Sequence, residues 1–113
     1  MKNLTLVIPA KKEFESLPMV LKEILNLKLD CKIKVSLEKS DIKTIDAIKE
    51  FDIEIFYQTQ IGYGSALIEG INSVETELFC IFNADGSFNP IELTSMINKI
   101  QNEKYDFIFA SRY

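Results

Sequence analysis

Leu78-Phe79-Cys80-Ile81-Phe82 is apolar at every position and runs directly into Asn83-Ala84-Asp85-Gly86-Ser87. A strand with one face in water would alternate with polar residues, so a short unbroken apolar run stopped by turn residues predicts a strand covered on both faces. Strands of that kind belong to parallel sheets with helices above and below, and the rest of the chain must supply both.

Upstream, Leu4 to Pro9 predicts another short buried strand, and Leu17, Val20, Leu21, Ile24 and Leu25 recur with the spacing of one helix face. Ser16 is the expected cap of that helix, with Pro18 in its first turn, where a missing N–H costs nothing. Cys31, Ile33, Val35 and Leu37 then alternate with Lys32, Lys34 and Ser36, which predicts a half-buried strand. Ser40 or Asp41 is the expected cap of a second helix carrying Ile42, Ile45, Ala47, Ile48 and Phe51, followed by a strand over Ile53–Tyr57 and a helix over Gly64–Val74. Asn89-Pro90-Ile91-Glu92 has the cap, N1 proline and reaching Glu of a fourth helix, and Asp106–Ala110 reads as a fifth strand. The expectation is a three-layer α/β domain over residues 1–113, with a parallel sheet of five strands in the order 3-2-1-4-5 and helices on both faces. In such sheets ligands lie beyond the carboxyl ends of the strands, which directs attention to the loops 9–15, 36–41, 58–65, 83–89 and 111–113.

Composition narrows the chemistry. The 113 residues include no histidine, so Ser-His-Asp and Cys-His nucleophile systems and His-based zinc sites are excluded. Thirteen basic against seventeen acidic residues, with Arg112 the single arginine, leave no phosphate-tracking face, and nucleic acid is not an expected partner. Cys31 and Cys80 are far apart in sequence and each sits in an apolar stretch, the pattern of buried free thiols in a reducing compartment. The longest unbroken apolar run, Leu78–Phe82, is far short of the roughly 20 residues needed to cross a bilayer, so no membrane span is expected. The N-terminal apolar stretch is likewise too short for a signal peptide.

Two loops carry candidate chemistry. Asn83 and Asp85, two apart after the covered strand, offer hard oxygen ligands suited to Mg²⁺ or Mn²⁺ with a nucleotide diphosphate, although Asp-Gly-Ser would also form a tight Asx or glycine turn unaided. Gln60-Ile61-Gly62-Tyr63-Gly64-Ser65 runs into a helix N-terminus, whose open N–H groups favour anions, although its glycines could equally be turn punctuation. A dinucleotide fingerprint is excluded, because its third glycine would fall at Leu67 and the loop follows the third strand and not the first. A receiver domain is not expected, since Pro9-Ala10-Lys11-Lys12 stands where its acidic pair would be.

Taken together, Leu6-Val7-Ile8-Pro9-Ala10-Lys11-Lys12-Glu13, Gly62-Tyr63-Gly64-Ser65-Ala66-Leu67 with Gly70, Phe82 through Pro90, and Ala110-Ser111-Arg112-Tyr113 resemble the family 2 glycosyltransferases of GT-A fold. The resemblance is strongest to the nucleotide-sugar-binding half of the dolichyl- and polyprenyl-phosphate sugar transferases. It implies that Pro9, Ala10 and Glu13 line a nucleotide pocket and that Gly62, Tyr63 and Gly64 cover base and ribose. It also implies that Asp85, with Asn83, holds a Mg²⁺ or Mn²⁺ ion at the diphosphate, and that Arg112 faces the same site. Three differences from the family pattern stand out: Asn83 replaces the first acidic residue of the metal motif, Lys12 stands where Asn is common, and the base-reading acidic pair is reduced to Asp41 with Glu38 as substitute.

The implied activity is glycosyl transfer from a UDP- or GDP-sugar to a lipid-phosphate or saccharide acceptor. The alternative is a non-catalytic binding or interaction module on the same scaffold. The family continues beyond the position of Tyr113 with acceptor elements and, usually, the catalytic base, so the chain is expected to be a truncated half-domain, inactive alone and completed by a second copy or a separate segment. The expected address is cytoplasmic, with the inner face of the membrane as one option.

Overall fold

A computed structural model describes residues 4–28, 31–82, 94–95 and 107–110, the last four by backbone alone. In chain order the elements are β1 (Leu4–Pro9), α1 (Ser16–Asn26), β2 (Lys32–Glu38), α2 (Ile42–Ile48), β3 (Glu54–Gln58), α3 (Tyr63–Asn72), β4 (Leu78–Phe82) and β5 (Phe107–Ala110). The five strands form one parallel sheet in the order β3-β2-β1-β4-β5, as the sequence predicts. The registers Val7↔Lys34 and Val7↔Ile81 place β1 at the centre, between β2 and β4. The expected helix beginning at Asn89 lies outside the described residues apart from Thr94 and Ser95, which are helical.

Alternation along the strands divides the interior into two unlike halves. Leu4, Leu6, Ile8, Ile33, Val35, Leu37, Leu78, Cys80 and Phe82 point to one side, where Leu17, Val20, Leu21 and Ile24 of α1 and Ile48 of α2 close the hydrophobic core. Val7, Lys34 and Ser36 point to the other side, beneath α3. There the Ser36 hydroxyl donates to the Ala66 carbonyl at 2.7 Å, and a Cβ on Gly70 would come within 3.0 Å of Ser36 Cβ and 3.2 Å of Val7 Cγ1. Glycine at position 70 therefore sets how closely α3 lies on the sheet.

The half-buried reading of β2 is corrected by this packing. Lys34 is only 5% exposed and Ser36 fully buried, because α3 covers the polar side of the strand. The burial is tolerated because each polar group is paired. Lys34 Nζ donates to Ser73 O at 2.8 Å and Ser73 Oγ at 3.0 Å, and lies 3.4 Å from Glu54 Oε2. Its charge thereby meets the carbonyl end of α3, where a cation is favoured.

Helix starts also differ from expectation. Ser16 is inside α1, whose cap position is Glu15, and its hydroxyl donates to Glu13 Oε2 at 2.7 Å. Asp41 occupies the cap position of α2 but makes no cap hydrogen bond, its carboxylate being engaged elsewhere. The second helix ends at Ile48 and the third begins at Tyr63, one residue before Gly64. Among the described residues no helix is long and apolar enough to cross a membrane.

Candidate functional site

Because β1, β2 and β3 are parallel and adjacent, the loops that leave them emerge at one edge of the sheet. The first leaves Pro9 and is tied at once to the next strand by Ala10 N donating to Ser36 O at 2.9 Å, which keeps Ala10 buried. Lys12 then adopts φ +55°, a left-handed conformation that costs a side-chain-bearing residue about 1–2 kcal/mol. The conformation aims the Lys12 N–H at Asp41 Oδ2, 2.7 Å away. The bend that follows returns the chain so that Glu13 O accepts from Leu17 N at 2.9 Å and α1 can begin. A left-handed residue at position 12 gives a physical reason for asparagine there, since its short polar side chain visits that region more readily than lysine does.

The second loop, between β2 and α2, places Glu38 half-buried, with Asp41 N donating to Glu38 O at 3.0 Å. Glu38 Oε2 accepts from the Gly62 N–H at 3.4 Å, a long contact that links this loop to the third. The third loop, from Thr59 to Gly62, joins β3 to α3. Gly62 has φ +110°, which glycine alone adopts readily, and no atom lies within 4 Å of where its Cβ would be. Gln58, itself buried, donates its side-chain amide to Gln60 O at 2.7 Å and Gly62 O at 2.8 Å, closing the loop from within.

The structure thus brings together the loops carrying Pro9, Ala10 and Glu13, Glu38, and Gly62, Tyr63 and Gly64, joined through Lys12–Asp41 and Glu38–Gly62. Tyr63 is 44% exposed beside the glycine turn. The carboxylate of Glu13 is turned to the Ser16 hydroxyl at the start of α1. β4, whose Ile81 pairs with Val7, ends at Phe82; Asn83, Asp85 and Arg112 lie outside the described residues. Among the described residues, no group of three or more Cys, Asp or Glu is gathered to hold a metal. A cavity of about 440 Å³ opens at the opposite end of the sheet, lined by Ile24, Lys28, Cys31, Ile33, Asp52 and Glu54, away from these loops.

Two roles were not readable from sequence. Asp41, seen there as a possible base-reading residue, is the brace of the Lys12 turn. Glu69 accepts three hydrogen bonds from the third loop: Thr59 N (2.8 Å) and Thr59 Oγ1 (2.9 Å) on one oxygen and Gln60 N (2.9 Å) on the other. The backbone N–H groups of Thr59 and Gln60 hold its carboxyl below the usual range. No local pattern marks Glu69, since its partners lie nine and ten residues earlier, across a strand-to-helix turn.

The five-stranded parallel sheet, with its strand-end loops joined at one edge, defines a three-layer α/β domain, and comparison with known proteins makes the class definite. The model of glycosyl transferase family 2 matches residues 5–113, and the chain belongs to that family. Among solved structures, it is similar to CMP:2-keto-3-deoxy-manno-octonic acid synthetase, solved in complex with CTP, with TM-score 0.67 at 15% identity over 92% of this chain. At that identity the likeness is one of fold, and the chain spans about half (49%) of the length of that structure. No curated protein gave a significant match.

Proposed function

We propose that the chain binds the nucleotide diphosphate of an activated sugar, UDP- or GDP-linked, at the carboxyl edge of its sheet, for transfer of the sugar to a lipid-phosphate or saccharide acceptor. The observation that carries this reading is the joining of the three loops after β1, β2 and β3 by the Lys12–Asp41 and Glu38–Gly62 hydrogen bonds, in a chain of this family. In this reading Pro9, Ala10 and Glu13 from the first loop, Glu38 from the second, and Gly62, Tyr63 and Gly64 from the third line the nucleotide. The solved CMP-sugar synthetase of similar fold binds CTP, which makes a pyrimidine nucleotide a reasonable first probe.

Asp85 and Asn83 supply one carboxylate and one carbonyl oxygen, a hard donor set that suits Mg²⁺ or Mn²⁺. An ion held there would offset the charge that grows on the diphosphate as its bond to the anomeric carbon breaks. Arg112 is assigned to the same diphosphate. Titration calorimetry with UDP and GDP, with and without Mn²⁺, tests the reading: binding should require the ion, and Asp85→Asn should weaken it by about tenfold or more, the scale of one lost charge-assisted contact. Equal affinity with and without Mn²⁺, or in the variant, would refute the metal assignment.

A second reading, a binding module without turnover, draws on the engagement of Asp41 with the Lys12 backbone, which withdraws a carboxylate from base recognition. It predicts nucleotide binding with no release of UDP or GDP from any sugar nucleotide.

A further inference from the structure

The wall built from the third loop has almost nothing apolar to rest on. Thr59, Gln60 and Ile61 are exposed, Ile61 to 84%, so the shape of Thr59–Gly62 is set by hydrogen bonds and not by burial. Gln58 holds it from the inside through the carbonyls of Gln60 and Gly62, and Glu69 holds it from the outside through the N–H groups of Thr59 and Gln60. The two clamps use opposite ends of the peptide units: an amide takes the carbonyls and a carboxylate takes the N–H groups. Glu69 is itself fixed, because it lies one residue before Gly70, the point where α3 is seated against Ser36 and Val7.

We propose that Glu69 is a positioning residue for the donor nucleotide: it touches no part of the ligand but sets the conformation of the Thr59–Gly62 wall, so that nucleotide affinity depends on its carboxylate. The proposal rests on the donor-site reading above. Its physical basis is preorganisation. A loop already held in its binding shape loses little conformational freedom on association, whereas a loosened loop must be ordered by the ligand. The carboxyl that makes these contacts is also held below the usual range by the same N–H groups, as expected if its charged form is the one that grips the loop.

The test compares the full chain with Glu69→Gln, which presents an amide N–H to one of the two loop N–H groups, and with Thr59→Val, which removes the hydroxyl bond alone. Three quantities are read: hydrogen exchange at the Thr59 and Gln60 amides, affinity for UDP and GDP in Mn²⁺, and the thermal midpoint. Glu69→Gln should speed exchange at those two amides and weaken the better-bound nucleotide, each by about tenfold, with Thr59→Val intermediate. The thermal midpoint should stay within about 4 °C, since Glu69 adds little to the core. If the wild type binds nucleotide and Glu69→Gln binds it equally well, the proposal is overturned while the donor-site reading stands. If the wild type binds neither nucleotide, the donor-site reading fails and the proposal falls with it. Should Glu69→Gln prove unstable, Thr59→Val still decides, because unchanged affinity together with faster exchange at Thr59 would refute the coupling.

Discussion

Lys12 and Lys28 are the described side-chain-bearing residues with positive φ, at +55° and +52°, and they occupy their unfavourable conformations for different reasons. Lys28 ends α1, one residue beyond the Leu27 cap, and its N–H donates to Leu25 O at 3.2 Å in the manner of a left-handed helix stop. Glycine removes the conformational penalty there at some cost in unfolded-state entropy, so Lys28→Gly should stabilise the chain by about 0.5–1 kcal/mol, read as a raised urea midpoint at constant slope. Lys12→Asn should also stabilise, because the Asp41 contact uses the backbone N–H and survives the change. Cys80 provides a pH probe at the same scale. Burial, with the nearby Cys31 adding to it, pushes its thiol up to about 12. An unfolded thiol ionises near pH 8.5 while the folded one keeps its proton, so the unfolded state binds fewer protons and stability falls as pH rises above that value. Between pH 9 and 10 the wild type should lose about 1 kcal/mol more than Cys80→Ala, measured by urea unfolding at each pH.

At the scale of elements, the strands that could be read fully from sequence were those with short, nearly unbroken apolar runs. Leu4–Pro9 and Leu78–Phe82 are found as expected, because a covered strand must be apolar on both sides whatever surrounds it. β2 was harder, since Lys34 and Ser36 look solvated until α3 is known to lie over them. Their partners, Ser73 and Ala66, are thirty or more residues away, and no local pattern encodes such a match. Glu69 was hidden at shorter range, its partners nine and ten residues earlier across a strand-to-helix turn. Caps misled for a related reason: Ser16 has the right chemistry for a helix start but lies inside α1 with its hydroxyl donating to Glu13, and Asp41 stands at the start of α2 with its carboxylate accepting from the Lys12 N–H. The seating of α3 gives a sharp prediction. Gly70→Ala would place a methyl 3.0 Å from Ser36 Cβ, a backbone-fixed atom that cannot rotate away. It should therefore destabilise by about 1–3 kcal/mol despite the better helix propensity of alanine. Lys34→Met keeps the volume but leaves Ser73 O and Oγ without their donor, and should cost about 1–3 kcal/mol by the same measurement.

For the whole molecule, the strand order was expected from the alternation of periods together with the two-sided apolarity of Leu78–Phe82, and the observed sheet has it, so the loops expected to share an edge do so. That was enough to place Pro9, Ala10, Glu38 and Gly62 in neighbouring loops, but not to show that Asp41 and Glu69 brace them. The proposed carboxyl-edge site predicts a global response to ligand: at one hundred times its dissociation constant, a nucleotide bound only by the folded chain adds about 2.7 kcal/mol. In differential scanning fluorimetry this appears as a rise in midpoint with UDP or GDP in Mn²⁺ that Asp85→Asn cuts by about half or more.

The unlike halves of the interior also bear on how freely the sequence can drift. Apolar packing is non-directional and accepts many combinations of equal volume, so Leu6, Leu21, Val35 and Ile48 can trade places with other aliphatic residues as long as the space stays filled. Beneath α3 the fit depends on particular atoms meeting, with a hydroxyl on a carbonyl, an ammonium on a helix end and a bare Cα against a strand. Saturation mutagenesis scored on folding should therefore draw a sharp line through the sheet itself. Neighbouring residues of one strand, such as Val35 and Ser36, would fall on opposite sides of it, one exchangeable and the other nearly fixed.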